Sequence, residues 1–179
     1  MKQEIIIAGF GGQGVLLMGK ILAYSGLMDD KEVTWMPSYG PEQRGGTANV
    51  TVILSDERIS SPVLDSYDVV VALNQQSIDK FCAAVKPGGI LLYDSNGIHN
   101  PPTREDIHVI PIDAMGATFR IGNPKVYNMV VLGALLEVLP YRIPMENVSK
   151  GLHKSLPERH HTLIPLNLEA IEMGRKLLP

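Results

Sequence analysis

Cysteine is almost missing from this chain. Cys82 stands alone among 179 residues, which excludes an internal disulfide, a cysteine-based zinc site and an iron–sulfur cluster held by this chain by itself. Its setting, FCAAV, reads as a helix interior, where a lone thiol is a small buried hydrophobe rather than a nucleophile. Basic charge is not in excess either. The formal net charge is −3, and no aromatic-basic stripe runs through the scattered Lys and Arg. A nucleic-acid binder carries a basic face, so no nucleic-acid partner is expected. No apolar run approaches the ~20 residues that cross a bilayer. MKQEIIIAGF leads directly into a strand, leaving no room for a signal peptide. A cytoplasmic protein without a membrane partner is expected.

Catalytic signatures are lacking as well. There is no G-x-S-x-G elbow, no separated Ser/His/Asp set, and no GDG with a following Asn of the thiamine diphosphate type. His160 and His161 are adjacent. On a helix they point ~100° apart and cannot chelate one ion as an i, i+4 pair does, so they read as a solvated helix start.

What is present is an α/β pattern. Apolar residues make up 45% of the chain, enough for one domain over residues 1–179 with a substantial core. Residues 5–10 form a β-branched apolar run, as expected of a strand buried on both faces of a parallel sheet. The segment VLLMGKILAYSGLM follows as a helix and residues 33–36 as a short second strand. TANVTVILS alternates, with Val50, Val52 and Leu54 on one face. DVVVALN is a strand, SIDKFCAAV a helix, GILLYDS a strand entered through the turn KPGG, and IHVIPID the last strand. VYNMVVLGALLEVL is apolar nearly all round, which marks a buried helix. PMENVSKGLHKSL, with Pro144 at a first helical position, and LNLEAIEMGRKLL, with Leu166, Ile171 and Leu178 facing the core, are amphipathic. The expected fold is α/β, a Rossmann-like mostly parallel sheet with a helical C-terminal third.

The stretch GFGGQGVLLMGK reads in two ways. Gly14, Gly19 and Lys20 approximate an ATP-binding P-loop, but Ile21 stands where a magnesium-binding Ser or Thr is needed. The loop positions would also be the apolar Val15, Leu16, Leu17 and Met18, so that reading fails. Gly9, Gly11 and Gly14 spell G-x-G-x-x-G between a strand and a helix, which can present backbone N–H groups to an anion. An NAD site also needs an acid near the end of the second strand. Met36 and Pro37 stand there, while Asp29 and Asp30 precede that strand. Two readings stay open: the glycines, Gly12 included, allow a tight turn into a closely packed helix, or they contact a ligand phosphate. Gln13 favours the second, since a turn alone has no use for its side chain. A stand-alone enzyme is the competing class, because YDVVVALN followed by VKPGGILLYDSN resembles part of a class I S-adenosylmethionine methyltransferase. The absent acid and the helical ending count against it.

The most specific segment is SYGPEQRGGTANVTVILSDERISSP. Arg44 beside Gly45 and Gly46 exposes a planar fork of donors that suits a phosphate, a carboxylate or a partner surface. An ion pair with Glu42 is the simpler alternative. With GFGGQG, the run Tyr39, Gly40, Pro41, Glu42, Arg44, Gly45, Gly46 and the following Ser61-Pro62, the chain resembles the gamma subunit of 2-oxoacid:ferredoxin oxidoreductases. The resemblance spans essentially the whole chain. It implies a subunit of a complex that converts a 2-oxoacid and coenzyme A to acyl-CoA and CO2 and reduces ferredoxin. It also implies alpha, beta and ferredoxin-like delta partners that carry the thiamine diphosphate and iron–sulfur clusters, with no cofactor on this chain alone. Gly9, Gly11, Gly12, Gln13, Gly14, Tyr39, Glu42, Arg44, Gly45 and Gly46 then become candidates for ligand or partner contact on the coenzyme A side. The YGPE form is closer to the 2-oxoglutarate and branched-chain members than to indolepyruvate oxidoreductases.

Overall fold

The computed structural model describes residues 1–40 and 46–178. Six strands form one sheet: β1 (Lys2–Phe10), β2 (Glu32–Tyr39), β3 (Thr47–Ser55), β4 (Tyr67–Ala72), β5 (Val85–Asp94) and β6 (His108–Ile112), in the order β2-β3-β1-β4-β5-β6. The helices are α1 (Val15–Leu27), α2 (Gln75–Phe81), α3 (Ala114–Ile121), α4 (Tyr127–Val138), α5 (Met145–Ser155) and α6 (Ile164–Arg175). β1, β4, β5 and β6 run parallel, with Ile5 opposite Val69 and Leu91 opposite Val109. β3 is antiparallel to both neighbours, opposing Val52 to Ile5 and to Trp35. β2 and β3 therefore pair antiparallel, and the end of β2 and the start of β3, Tyr39 and Thr47, lie at the carboxyl end of β1.

The alternation of β1 sorts the core. Ile5 and Ile7 join Val50, Val52, Val69, Val71 and Leu92 on the face covered by α1 and the C-terminal helices. Ile6 joins Val70 and Leu91 on the other face, with Tyr67, Ile78 and Val85. Helix α1 sits low on the sheet because it presents glycine there. A Cβ on Gly19 would lie 2.9 Å from Val50 Cγ2, and one on Gly26 3.1 Å from Val33 Cγ2. Helices α4 and α6 interlock the same way: a Cβ on Gly133 would lie 2.8 Å from the Ile171 carbonyl carbon, and one on Gly174 2.7 Å from that of Val130. Substituting either glycine forces the backbones apart.

The α/β class, the mostly parallel sheet and the all-round burial of α4 agree with the sequence reading. Several local expectations need correction. KPGG is not a turn before a strand; it lies within β5, where Gly88 takes φ 75° and the pairing with β4 shifts register between Tyr67 and Val69. The helix expected through Val85 stops at Phe81, and half-buried Cys82 lies in the 3-10 turn that follows. Pro144 precedes α5 as its N-cap, and Leu166 and Leu178 are only partly buried. His160 and His161 sit in a 3-10 turn, where the His161 ring reaches the carbonyls of Leu156 (2.9 Å) and His153 (3.1 Å).

At the amino-terminal edge of the sheet, charge ties three strands together. Lys86 of β5 binds the Glu4 carboxylate of β1 and donates to Asp68 Oδ1 of β4 at 2.7 Å. The Glu4 N–H in turn donates to Asp68 Oδ2 at 2.8 Å. Burial acts to raise the Glu4 carboxyl, but its hydrogen bonds and charge pairing with Lys2 and Lys86 hold it below its ordinary value of 4.5. A depressed carboxylate contributes stability that is present above its unfolded pKa and lost as pH falls through the folded one. Glu4→Gln should therefore lower stability at pH 7. The gap from wild type should close as urea denaturation is repeated at pH values falling well below 4.5. A gap of constant size would assign the effect to packing instead.

Candidate functional site

The site grows from the end of β1. After Phe10 the chain turns through Gly11, Gly12 (φ 94°) and Gly14 (φ 75°), which is the N-cap of α1 and gives it no side-chain cap. Among the described residues no side chain caps the first-turn N–H groups of α1, and the helix dipole places partial positive charge there. Gly14 needs glycine twice over. Its φ is disfavoured for other residues, and a Cβ there would lie 2.8 Å from the Cβ of buried Asn128.

Gln13 does serve the turn, contrary to the sequence expectation. Its Oε1 accepts the Phe10 N–H at 2.6 Å and its Nε2 donates to the Leu73 carbonyl at 3.4 Å. The side chain bridges the carboxyl ends of β1 and β4, where the connections from the sheet diverge in opposite directions. Such a divergence is where open α/β sheets bind ligands.

The two motifs singled out from sequence converge here. The Gly11 N–H donates to the Gly46 carbonyl at 2.9 Å, and the Gly40 N–H donates to the Thr47 carbonyl at 2.7 Å, joining the end of β2 to the start of β3. Tyr39 stands beside them, 71% exposed. Glu42, Arg44 and Gly45 lie outside the described residues.

A cleft of about 310 Å³ opens over the glycine loop, floored by Gly12, Gln13 and Gly14 and walled by Tyr127 and Asn128 of α4, with Lys125 at its edge. Met115 and Thr118 of α3 form the opposite side. The α4 wall is fixed by a polar relay. The Tyr127 hydroxyl donates to Asp94 Oδ2 at 2.8 Å, Asn96 Nδ2 donates to Asp94 Oδ1 at 2.8 Å, and the same Nδ2 donates to Asp113 Oδ1 at 3.0 Å. Burial, reinforced by the negative Asp94, pushes the Tyr127 phenol far above its ordinary value, so it stays a donor at any physiological pH. The hydrogen bonds from Asn96 and the Gly116 N–H hold Asp113 below its ordinary value.

Sequence reasoning missed this wall. Its one legible signal was Asp94, a carboxylate ending the apolar run GILLY.

The geometry also explains why a dinucleotide site fails. In a nicotinamide-binding sheet the ribose-binding acid ends the strand next to β1. Here antiparallel β3 occupies that place and moves the end of β2 one strand, about 4.8 Å, further away. The P-loop reading fails too, since Gly19 is a packing glycine inside α1. Among the described residues no group of three or more His, Cys, Asp or Glu side chains converges on a metal-sized site. The described residues that line the cleft offer backbone N–H groups, amides, hydroxyls and one lysine, with no Ser, Cys, His, Asp or Glu among them.

The sequence profile of the pyruvate ferredoxin/flavodoxin oxidoreductase family matches residues 4–177. The chain belongs to this family. Ketoisovalerate oxidoreductase subunit VorA of Methanothermobacter marburgensis is 36% identical over 171 residues, covering 96% of this chain and 35% of VorA. The chain thus spans about a third of that relative's length. The gamma subunit of keto/oxoacid ferredoxin oxidoreductase from Geobacter sulfurreducens PCA superposes with a TM-score of 0.84 at 31% identity, covering 99% of this chain and 96% of that one. A chain of 2-oxoglutarate:ferredoxin oxidoreductase from Magnetococcus marinus, solved with 2-oxoglutarate, coenzyme A and succinyl-CoA bound, gives a TM-score of 0.87 at 27% identity. That match covers 98% of this chain and 31% of the other. The likeness to a free-standing gamma subunit agrees with the resemblance read from GFGGQG and YGPEQRGG, and the alternative of a stand-alone methyltransferase or NAD enzyme gains no support.

Gly14→Ala should destabilise the fold by about 2–4 kcal/mol, combining the backbone cost with the overlap on Asn128. Adding Asn128→Ala should return the overlap part, a coupling of about 1–2 kcal/mol in a double-mutant cycle, and leave the backbone part. Strictly additive losses would show that Asn128 does not define the turn.

Proposed function

We propose that this chain is the gamma subunit of a 2-oxoacid:ferredoxin oxidoreductase and acts on the coenzyme A side of the complex. The complex converts a 2-oxoacid and coenzyme A to acyl-CoA and CO2, with ferredoxin as electron acceptor. The observation that carries the reading is the glycine loop: a helix terminus within a walled cleft lined, among the described residues, by no Ser, Cys, His, Asp or Glu. The N–H groups at the start of α1, uncapped by side chains among the described residues, would receive a pyrophosphate. The Asn128 carboxamide and Lys125 then stand within the same cleft, and Gln13 holds the loop in shape. Tyr39 and Gly46 extend the ligand- or partner-facing surface beside it, and Glu42, Arg44 and Gly45, which lie outside the described residues, are proposed as contacts on their sequence motif alone.

Thiamine diphosphate and iron–sulfur clusters belong, on this reading, to alpha, beta and ferredoxin-like delta partners. The donor set of this chain does not fit a cluster, because Cys82 is its one cysteine. The single-domain arrangement over residues 1–179 and a cytoplasmic setting go with the proposal. The likeness to a ketoisovalerate subunit and to a 2-oxoglutarate enzyme supports a branched-chain 2-oxoacid or 2-oxoglutarate as substrate.

The pure chain, given thiamine diphosphate, coenzyme A, 2-oxoacid and a dye acceptor, should show no turnover. Turnover without companion chains would overturn the proposal. In the assembled complex, Lys125→Gln should raise the KM for coenzyme A about tenfold, the value of one charge-assisted hydrogen bond. Its kcat should be unchanged, as for a contact made equally in ground and transition states. An unchanged KM would remove Lys125 from the ligand site.

A further inference from the structure

Helix α3 is built inside out. Its small residues Ala114, Ala117 and Thr118 are buried, whereas Met115 and Phe119, one turn apart, are 43% and 81% exposed. A helix selected only to stabilise its own fold turns its large apolar side chains toward the core. The helix is also held rigid at both ends. Asp113 Oδ1 accepts the Gly116 N–H at 2.8 Å, and Gly122, with φ 77°, closes the last turn by donating to the Phe119 and Thr118 carbonyls. The Phe119 ring is thus displayed on a preorganised element. Beside it lies an apolar hollow of about 180 Å³ bounded by Met115, Phe119 and Pro124, next to the glycine-loop cleft that Met115 and Pro124 also line. The flanking charges are two basic, exposed Arg120 and Lys125, against one acidic, Asp113, whose carboxylate lies 3.9 Å from the Arg120 guanidinium.

We propose that the Met115–Phe119 face of α3 is the docking surface for the companion polypeptide that the longer relatives carry on the same chain. The companion would present an apolar socket with an acidic rim. In VorA and in the Magnetococcus chain the matched region makes up 35% and 31% of the polypeptide. There, covalent continuity holds the neighbouring domain at high effective concentration. Where that neighbouring domain is a separate chain, surface contacts must hold it, and an exposed aromatic on a rigid helix is the kind of anchor that supplies most of an interface's affinity. The position of the patch on the rim of the cleft would bring the companion to the mouth of the anion site. This inference rests on the gamma-subunit reading.

The test is co-expression of the full chain, wild type or substituted, with its companion subunits. Assembly is followed by co-purification and by the Kd of the purified components. Phe119→Ala should raise that Kd at least about 30-fold, Phe119→Asp should abolish co-purification, and Met115→Gln should give an intermediate loss. The melting temperature of each isolated variant should match wild type, because the exchanged side chains are exposed. The wild-type Kd should rise with salt, as an acidic rim requires. Wild-type affinity in Phe119→Asp would overturn the docking surface while leaving the subunit reading intact. Failure of the wild-type chain to assemble with any companion would overturn both. A homodimer of the wild-type chain that Phe119→Asp converts to monomer would assign the face to a second copy and refute the companion as occupant.

Discussion

At two points helix α1 lies against β3 and its β2 neighbour with no side chain of its own between them, and much of the molecule is arranged around that contact. Gly19 and Gly26 let the helix settle onto Val50, Leu54 and Val33, which is possible only because β3 fills the space between β1 and β2. The low seat of α1 leaves room for α5 to lie on top of it, where Gly151 meets the backbone of Ser25. It also brings the start of α1 down to Asn128 of α4. The same inserted strand that seats the helix displaces the end of β2 from the ligand crevice. One topological choice therefore supports the packing and removes the position on which dinucleotide recognition depends.

Much of this was legible in the sequence, for reasons that differ by element. The β-branched runs at β1 and β4 and the all-round apolar character of α4 are strong periodic signals, and each element appears where it was expected. The place of β3 was not legible. Alternation reports that a strand is half or wholly buried, but it carries no information on which neighbour the strand pairs with. KPGG misled because Pro and Gly mark both turns and bulges, and here the chain continues in its strand. Helix α3 was missed because its core face is made of Ala and Thr, which give no hydrophobic period.

The candidate site divides in the same way. Its floor was visible, since glycines at fixed spacing after a strand have a mechanical meaning in themselves. Its wall was not, because Asp94, Asn96, Asp113 and Tyr127 lie on three separate segments and become one relay only in three dimensions. Gln13 was singled out for the wrong reason. A polar side chain within a glycine turn looked superfluous to the fold, yet it satisfies a strand-end N–H and a neighbouring carbonyl that the turn leaves open. A buried backbone group without a partner is costly, so a side chain assigned to that task is as constrained as one that touches a ligand.

The interlock of α4 with α6 has a consequence for biosynthesis. Helix α4 is apolar on every side, and one of those sides is covered by α6, through Gly133 and Gly174. Translation proceeds from the amino terminus, so the sheet and α4 leave the ribosome before residues 164–175 emerge to cover them. Throughout that interval a stripe containing Val130, Gly133 and Ala134 faces water or whatever apolar surface is nearby. Transiently exposed surface of this kind is what chaperones bind and what seeds aggregation. That stripe is covered only once α6 has emerged and docked, because the close approach at Gly133 and Gly174 brings the two helix backbones together directly.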